Sequence, residues 1–221
     1  MKFVYPGISH IFKFDGTNAS ELIIENRKML CELLSDITGQ IEGISGEAVL
    51  SIADTPIEFG KHVEIIDRFI PFELNTKSLQ TCLCKAMEKE AVNDEFFSQT
   101  GDLLAHTERF LDSLCFDYPC GVSFRKLSVG AIIKAASPEF EAKSDSVLEN
   151  VFDYMSLVRE FDKDKLFITV NLRCFFDDKE VQSFVDTVIS HDFKFLMLES
   201  SERKALGNTI RVIIDDDLCE I

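Results

Sequence analysis

Two uninterrupted apolar runs, KLFITV (165–170) and FKFLML (193–198), bracket an amphipathic helical pattern, and this arrangement restricts the fold more than any other feature of the chain. Runs of β-forming residues without polar alternation read as strands covered on both faces. Between them Asp177 and Glu180 have the spacing of a capping box, and Val181, Phe184, Val185, Val188 and Ile189 recur at helical intervals. A strand, a helix and a strand in that order form a parallel pair joined by a right-handed crossover, so an α/β sheet is expected.

The N-terminal part extends this reading. MKFVYP and IFKF read as an antiparallel pair and ELIIE (21–25) as a buried strand, while Met29, Leu30, Leu33, Leu34 and Ile37 mark a short helix closed by Gly39. EAVLSI and HVEII add two strand candidates. From about Phe72 to Phe161 the pattern turns helical. Asn75 or Thr76 caps a segment whose Leu79, Cys82, Leu83, Ala86 and Met87 share a face, and after Asn93-Asp94 a second segment carries Leu103, Thr107, Phe110, Leu111 and Leu114. These two are expected to pack as an antiparallel hairpin. The irregular stretch DYPCGVSF then leads into Leu127, Val129, Ile132 and Ile133, ended by Pro138, and Ser146 opens a long helix with Val147, Leu148, Val151, Phe152, Met155 and Val158 in its stripe. The expected organisation is a discontinuous α/β head, residues 1–70 and 160–221, with an α-helical lobe, 71–159, inserted in it.

A sheet that runs from ELIIE directly into a helix resembles the start of a nucleotide-binding domain, yet only Asn26-Arg27-Lys28 stands at the joint. A phosphate loop needs G-x-x-x-x-G-K-[ST], because backbone amides must close around phosphate and a lysine must reach it; no segment matches, and no G-x-G-x-x-G follows a strand. Gly121-Val122-Ser123-Phe124-Arg125 lacks the last glycine of a nucleophile elbow. His10, His62, His106 and His191 stand apart and read as structural or surface residues, and the seven cysteines have no zinc-site spacing and read as reduced thiols. Asp215-Asp216-Asp217 reads as a charged chain end, since neighbours in a strand point to opposite faces. No catalytic residue and no metal ligand is assigned. Without a long apolar run, a cytoplasmic protein with no membrane partner is expected. The formal charge of −16 repels nucleic acid on average, so such a partner would need a local basic patch; basic doublets stand at Arg27-Lys28, Arg125-Lys126 and Arg203-Lys204.

The segment KSDSVLENVFDYMSLVREFDKDKLFITVN, followed by DDKEV and FKFLMLES, closely resembles the short class of the CRISPR-associated ring protein of type II-A systems. ELIIEN before a helix, DRFIPFELNTKSL at the start of the helical lobe and RVIIDDDLCEI at the C-terminus are similar to family segments in the same order. The resemblance implies a P-loop-NTPase-like sheet domain without a phosphate loop, carrying a helical leg. It also implies a non-enzymatic homotetrameric ring that binds the ends of linear double-stranded DNA. The ring would act in spacer acquisition, a part of antiviral defence, with the integrase complex and the RNA-guided effector nuclease. On that reading the cations of the inner wall are Lys134, where the family pattern also has lysine, with Arg125 and Lys126, and more weakly Arg27, Lys28 and Lys61. An acidic surface is compatible with this, because phosphate neutralisation is local. The family usually places an acidic, calcium-coordinating run before the Lys134 helix; here Gly121, Ser123, Arg125 and Lys126 replace it, so calcium is not carried over. In its place, Arg125 or Lys126 is expected to pair with Asp117 or Glu141. The competing readings are an enzyme, as a degenerate NTPase or a metal-dependent nuclease, and a purely protein-binding assembly factor.

Overall fold

The computed structural model describes residues 1–115 and 120–221. Among the described residues nine strands are arranged in two sheets: β1 (Lys2–Val4), β2 (Phe12–Lys13), β3 (Ala19–Ile24), β4 (Val49–Ile52), β5 (Thr55–Pro56), β6 (Val63–Ile66), β7 (Leu166–Val170), β8 (Lys194–Glu199) and β9 (Thr209–Ile214). The larger sheet has the order β6-β7-β8-β3-β9 and every pair in it is parallel. The smaller, β2-β1-β4-β5, is antiparallel. EAVLSI and HVEII are thus both strands, but of different sheets.

All six residues of β3 are buried, as a strand covered on both faces requires. Leu22 and Ile24 join one apolar cluster with Leu33 and Ile37 of α1 (Arg27–Ile41) and with Phe3 and Phe12 of the small sheet. On another layer, α6 (Val147–Phe161) packs against α7 (Asp178–Ser190). The Phe193 ring lies edge-on to both Phe152 of α6 and Phe167 of β7, with centroids 5.6 Å apart in each case. Asp177 and Glu180 form the expected capping box of α7.

The helix α1 is longer than its sequence pattern indicates. It runs through Gly39 and ends where Gly43, at φ +88°, lets the Ile44 amide turn back to the Gly39 carbonyl. A left-handed residue just past the helix satisfies carbonyls that would otherwise be orphaned, and glycine takes that conformation without steric cost.

The chain divides into two compact units, Met1–Glu73 with Lys143–Ile221, and Leu74–Ala142. The second passage between units therefore falls at 142/143 and not at 159/160, because α6 buries Leu148, Val151, Tyr154, Met155 and Val158 within the sheet unit. The helical unit contains α3 (Lys77–Ala91), α4 (Phe97–Ser113) and α5 (Val129–Ala136); the sheet unit also holds the single turn α2 (Phe59–His62). Thr76, not Asn75, caps α3. The expected α3/α4 hairpin is replaced by packing of α3 mainly on α5, and no residue of α4 is fully buried. Residues 117–119 of DYPCGVSF, and Phe116 before them, lie outside the described residues.

Candidate nucleic-acid interface

The joint between β3 and α1 consists of Glu25 and Asn26 alone. Asn26 caps α1 by accepting the Met29 amide at 3.0 Å, and its side-chain amide donates to the Asp216 carbonyl at 2.9 Å. The end of a helix that binds phosphate in nucleotide folds is here short and occupied by a side chain.

The sequence-derived cations fall into separate groups. In the sheet unit Arg27 and Lys28 open α1, whereas Lys61 lies on α2, whose Gly60 abuts the Ile41 carbonyl at the opposite end of α1. A helix of this length spans about 20 Å, so Arg27 and Lys28 do not meet Lys61. Lys28 faces Glu32 at 3.6 Å and Lys61 pairs with Glu58 at 2.6 Å. In the helical unit Arg125 and Lys126 are exposed beside Glu108 and Asp112 of α4. Neither forms an ion pair with Glu141 or any other described residue, and Asp117 lies outside the described residues.

Lys134 is placed differently. It lies in the last turn of α5, where a cation complements the helix dipole, and it opens onto a groove of about 700 Å³ between α3 and α5. Lys77 and Lys85 of α3 line the same groove, with Thr81 between them on one helical face. Glu88 and Glu139 also reach it, so three cations face two carboxylates. Glu88 lies against the first turn of α5: a Cβ on Gly130 would come within 2.6 Å of its carboxyl carbon and displace that exposed side chain. Lys77 and Lys85 were not singled out from the sequence, although their spacing of eight residues, about 12 Å along a helix, puts them close to one face.

A second charged cluster, also missed, lies inside the sheet unit. Glu21, in the middle of β3, is fully buried; its Oε1 accepts from Arg173 at 2.6 Å and its Oε2 faces Nε of Arg211, the neighbouring residue on β9, at 3.4 Å. Arg173, 1 % exposed in a 3₁₀ turn (Leu172–Cys174) after β7, also donates to Asp178 at 2.7 Å and to the Lys204 carbonyl at 2.6 Å. Burial opposes its charge, but the hydrogen bonds to Asp178 and Glu21, and their charges, prevail and raise its pKa. Glu199, ending β8, accepts the Arg173 backbone amide at 3.2 Å. Desolvation first, then the Glu21 charge, pushes the Glu199 carboxyl up to about 7. The available signal was the presence of Glu21, Arg211 and Glu199 within apolar strand runs, where an unpaired charge is strongly unfavourable.

Among the described residues, the stretch just before α5 does not fit calcium. Residues 121–126 contain no carboxylate, and among the described residues no three His, Cys, Asp or Glu side chains form a metal-sized group.

The fold and the groove define an α/β protein with a parallel sheet unit and a helical unit in which lysines gather between two helices. A model of the CRISPR-associated protein family Cas_Csn2 matches residues 40–218. The chain belongs to this family, the Csn2 proteins of type II-A CRISPR systems, and has a CRISPR-associated role in defence. A comparison with individual curated proteins gave no match. No helix among the described residues is long and apolar enough to cross a membrane.

Proposed function

We propose that the chain assembles into a ring-shaped homotetramer that binds the ends of linear double-stranded DNA. It acts in the acquisition of new spacers with the integrase complex and the RNA-guided effector nuclease, and is not itself an enzyme. Family membership over residues 40–218 carries this reading. The sheet unit is read as a relative of the P-loop NTPases; its two-residue joint, capped by Asn26, supports a scaffold role in place of nucleotide hydrolysis. Lys77, Lys85 and Lys134 support contact with successive backbone phosphates, which is independent of base sequence. Exposed Phe96, which caps α4, and Leu103 and Phe110 within it, at seven-residue intervals, support self-association of the helical unit.

Mass photometry tests the assembly, which is expected near four times the 25.1 kDa of one chain. A linear duplex should shift that species and a closed circle should not. Binding should weaken steeply with salt, and Lys134→Glu should lower the salt slope by about one unit while leaving the assembly intact. A lone subunit that ignores linear DNA at low ionic strength overturns the reading; duplex cleavage or ATP turnover would establish the enzyme reading instead. Because residues 121–126 offer no carboxylate, assembly and DNA binding are also expected to survive chelator, and calorimetric titration with calcium to give no stoichiometric heat.

A further inference from the structure

The chain leaves β8 at the carboxyl edge of the sheet and must return to the amino end of β9, which lies beyond β3. Such parallel connections usually place a helix over the sheet. Residues 200–207 are instead irregular, and of these only Leu206 is buried. With so little apolar contact, this segment is held chiefly by side chains from other elements. The Arg173 guanidinium holds the Lys204 carbonyl at 2.6 Å, and that of Arg211 holds the Arg203 carbonyl at 2.7 Å. Asn171 accepts the Ser200 amide, Glu25 the Glu202 amide, and Gln182 both accepts from and donates to Gly207. The two guanidiniums share one buried carboxylate, Glu21, which makes that residue the hub of the attachment.

We propose that residues 200–207 form a releasable strap over the carboxyl edge of the sheet, latched by Arg173 and Arg211 through Glu21, with the protonation of Glu199 setting how firmly the latch holds. Glu199 sits at the root of the strap. The charged groups that act on it are Glu21 from β3, Arg173 from the 3₁₀ turn and Arg203 from the strap; Arg173 and Glu21 are tied in turn to Asp178 of α7, Arg211 of β9 and the Lys204 carbonyl, and Glu202 to Arg211 and Glu25. The Arg173 guanidinium serves Glu21, Asp178 and the Lys204 carbonyl together, while Glu199 is bonded through the Arg173 backbone amide. Once Glu199 is ionised, its buried carboxylate adds a second negative charge near Glu21. Solvating that charge favours the open strap, whose release uncovers Arg173 and Arg211 near the joint after β3. Ligand crevices of open α/β sheets lie at this edge, so the strap acts as a built-in cover. This inference is independent of the DNA-binding reading.

Because the Glu199 carboxyl is raised when covered, the latch is firm below its unperturbed value of 4.5 and weakens as pH rises toward about 7, above which opening levels off. Hydrogen exchange of the full chain, corrected for intrinsic rates, tests this. Amides of 201–207 should exchange roughly tenfold faster at about pH 7.5 than at about pH 5.5, while those of β8 and α7 change little. Glu199→Gln should abolish the difference. Arg211→Ala should speed exchange at both pH values and keep the difference, which gives a second reading should Glu199→Gln fail to fold. Strap protection that does not respond to pH, or a response that persists in Glu199→Gln, overturns the proposal.

Discussion

Replacing Arg173 by Met would leave the Glu21 carboxylate buried with only the longer contact to Arg211. Breaking a buried pair from one side is far more damaging than removing both partners, and a loss of about 3 to 5 kcal/mol is expected in chemical denaturation. Removing the pair together, as Glu21→Leu with Arg173→Met, should recover part of that loss, which a double-mutant cycle would measure. Glu199 adds a pH dependence of global stability. Its folded value is raised from 4.5 to about 7, so the native state binds the proton more tightly than the unfolded chain, and its contribution fades as pH rises through that window. The melting temperature of the wild-type chain should therefore fall by more than that of Glu199→Gln between those two values.

Among the elements, α7 has both halves of a capping box, and Asp177→Ala should destabilise the protein by about 1 kcal/mol in denaturant titration. On α4, Phe110 is 58 % exposed, so Phe110→Glu should change chain stability by less than about 0.5 kcal/mol. Mass photometry should nevertheless show fewer large species if that helix joins copies of the chain. The strands and helix of residues 165–198 were legible in the sequence because capping and periodicity agree there. The end of α1 was not, because Gly39 is accommodated inside the helix while Gly43 has the left-handed conformation. The pairing of α3 with α5 was also hidden, since an apolar stripe indicates that a helix packs but not its partner. Lys134 was found through family resemblance, and its neighbours Lys77 and Lys85 emerged only when the two helices were brought together. Arg173 gave little local signal: of the partners of its guanidinium only Asp178 is near in sequence, while Glu21 and the Lys204 carbonyl are distant and join it only in the folded sheet unit.

For the molecule as a whole, a charge of −16 sets the background against which any duplex must be held. Long-range repulsion is screened within about 10 Å at moderate salt, so a groove with a small excess of cations can act locally while the remaining surface discourages adsorption. Lys77→Glu and Lys85→Glu should each weaken linear-duplex binding in a filter or anisotropy assay, and Arg27→Glu, in the sheet unit, serves as the comparison.

The short joint after β3 has a further consequence. Asn26 both starts α1 and grips Asp216, so enlarging that turn to install a glycine-rich anion nest would unfasten the segment after β9 at the same stroke. A laboratory attempt to convert this scaffold into a hydrolase would have to rebuild two distant stretches of chain together, and single changes at the turn should yield misassembled protein before they yield turnover.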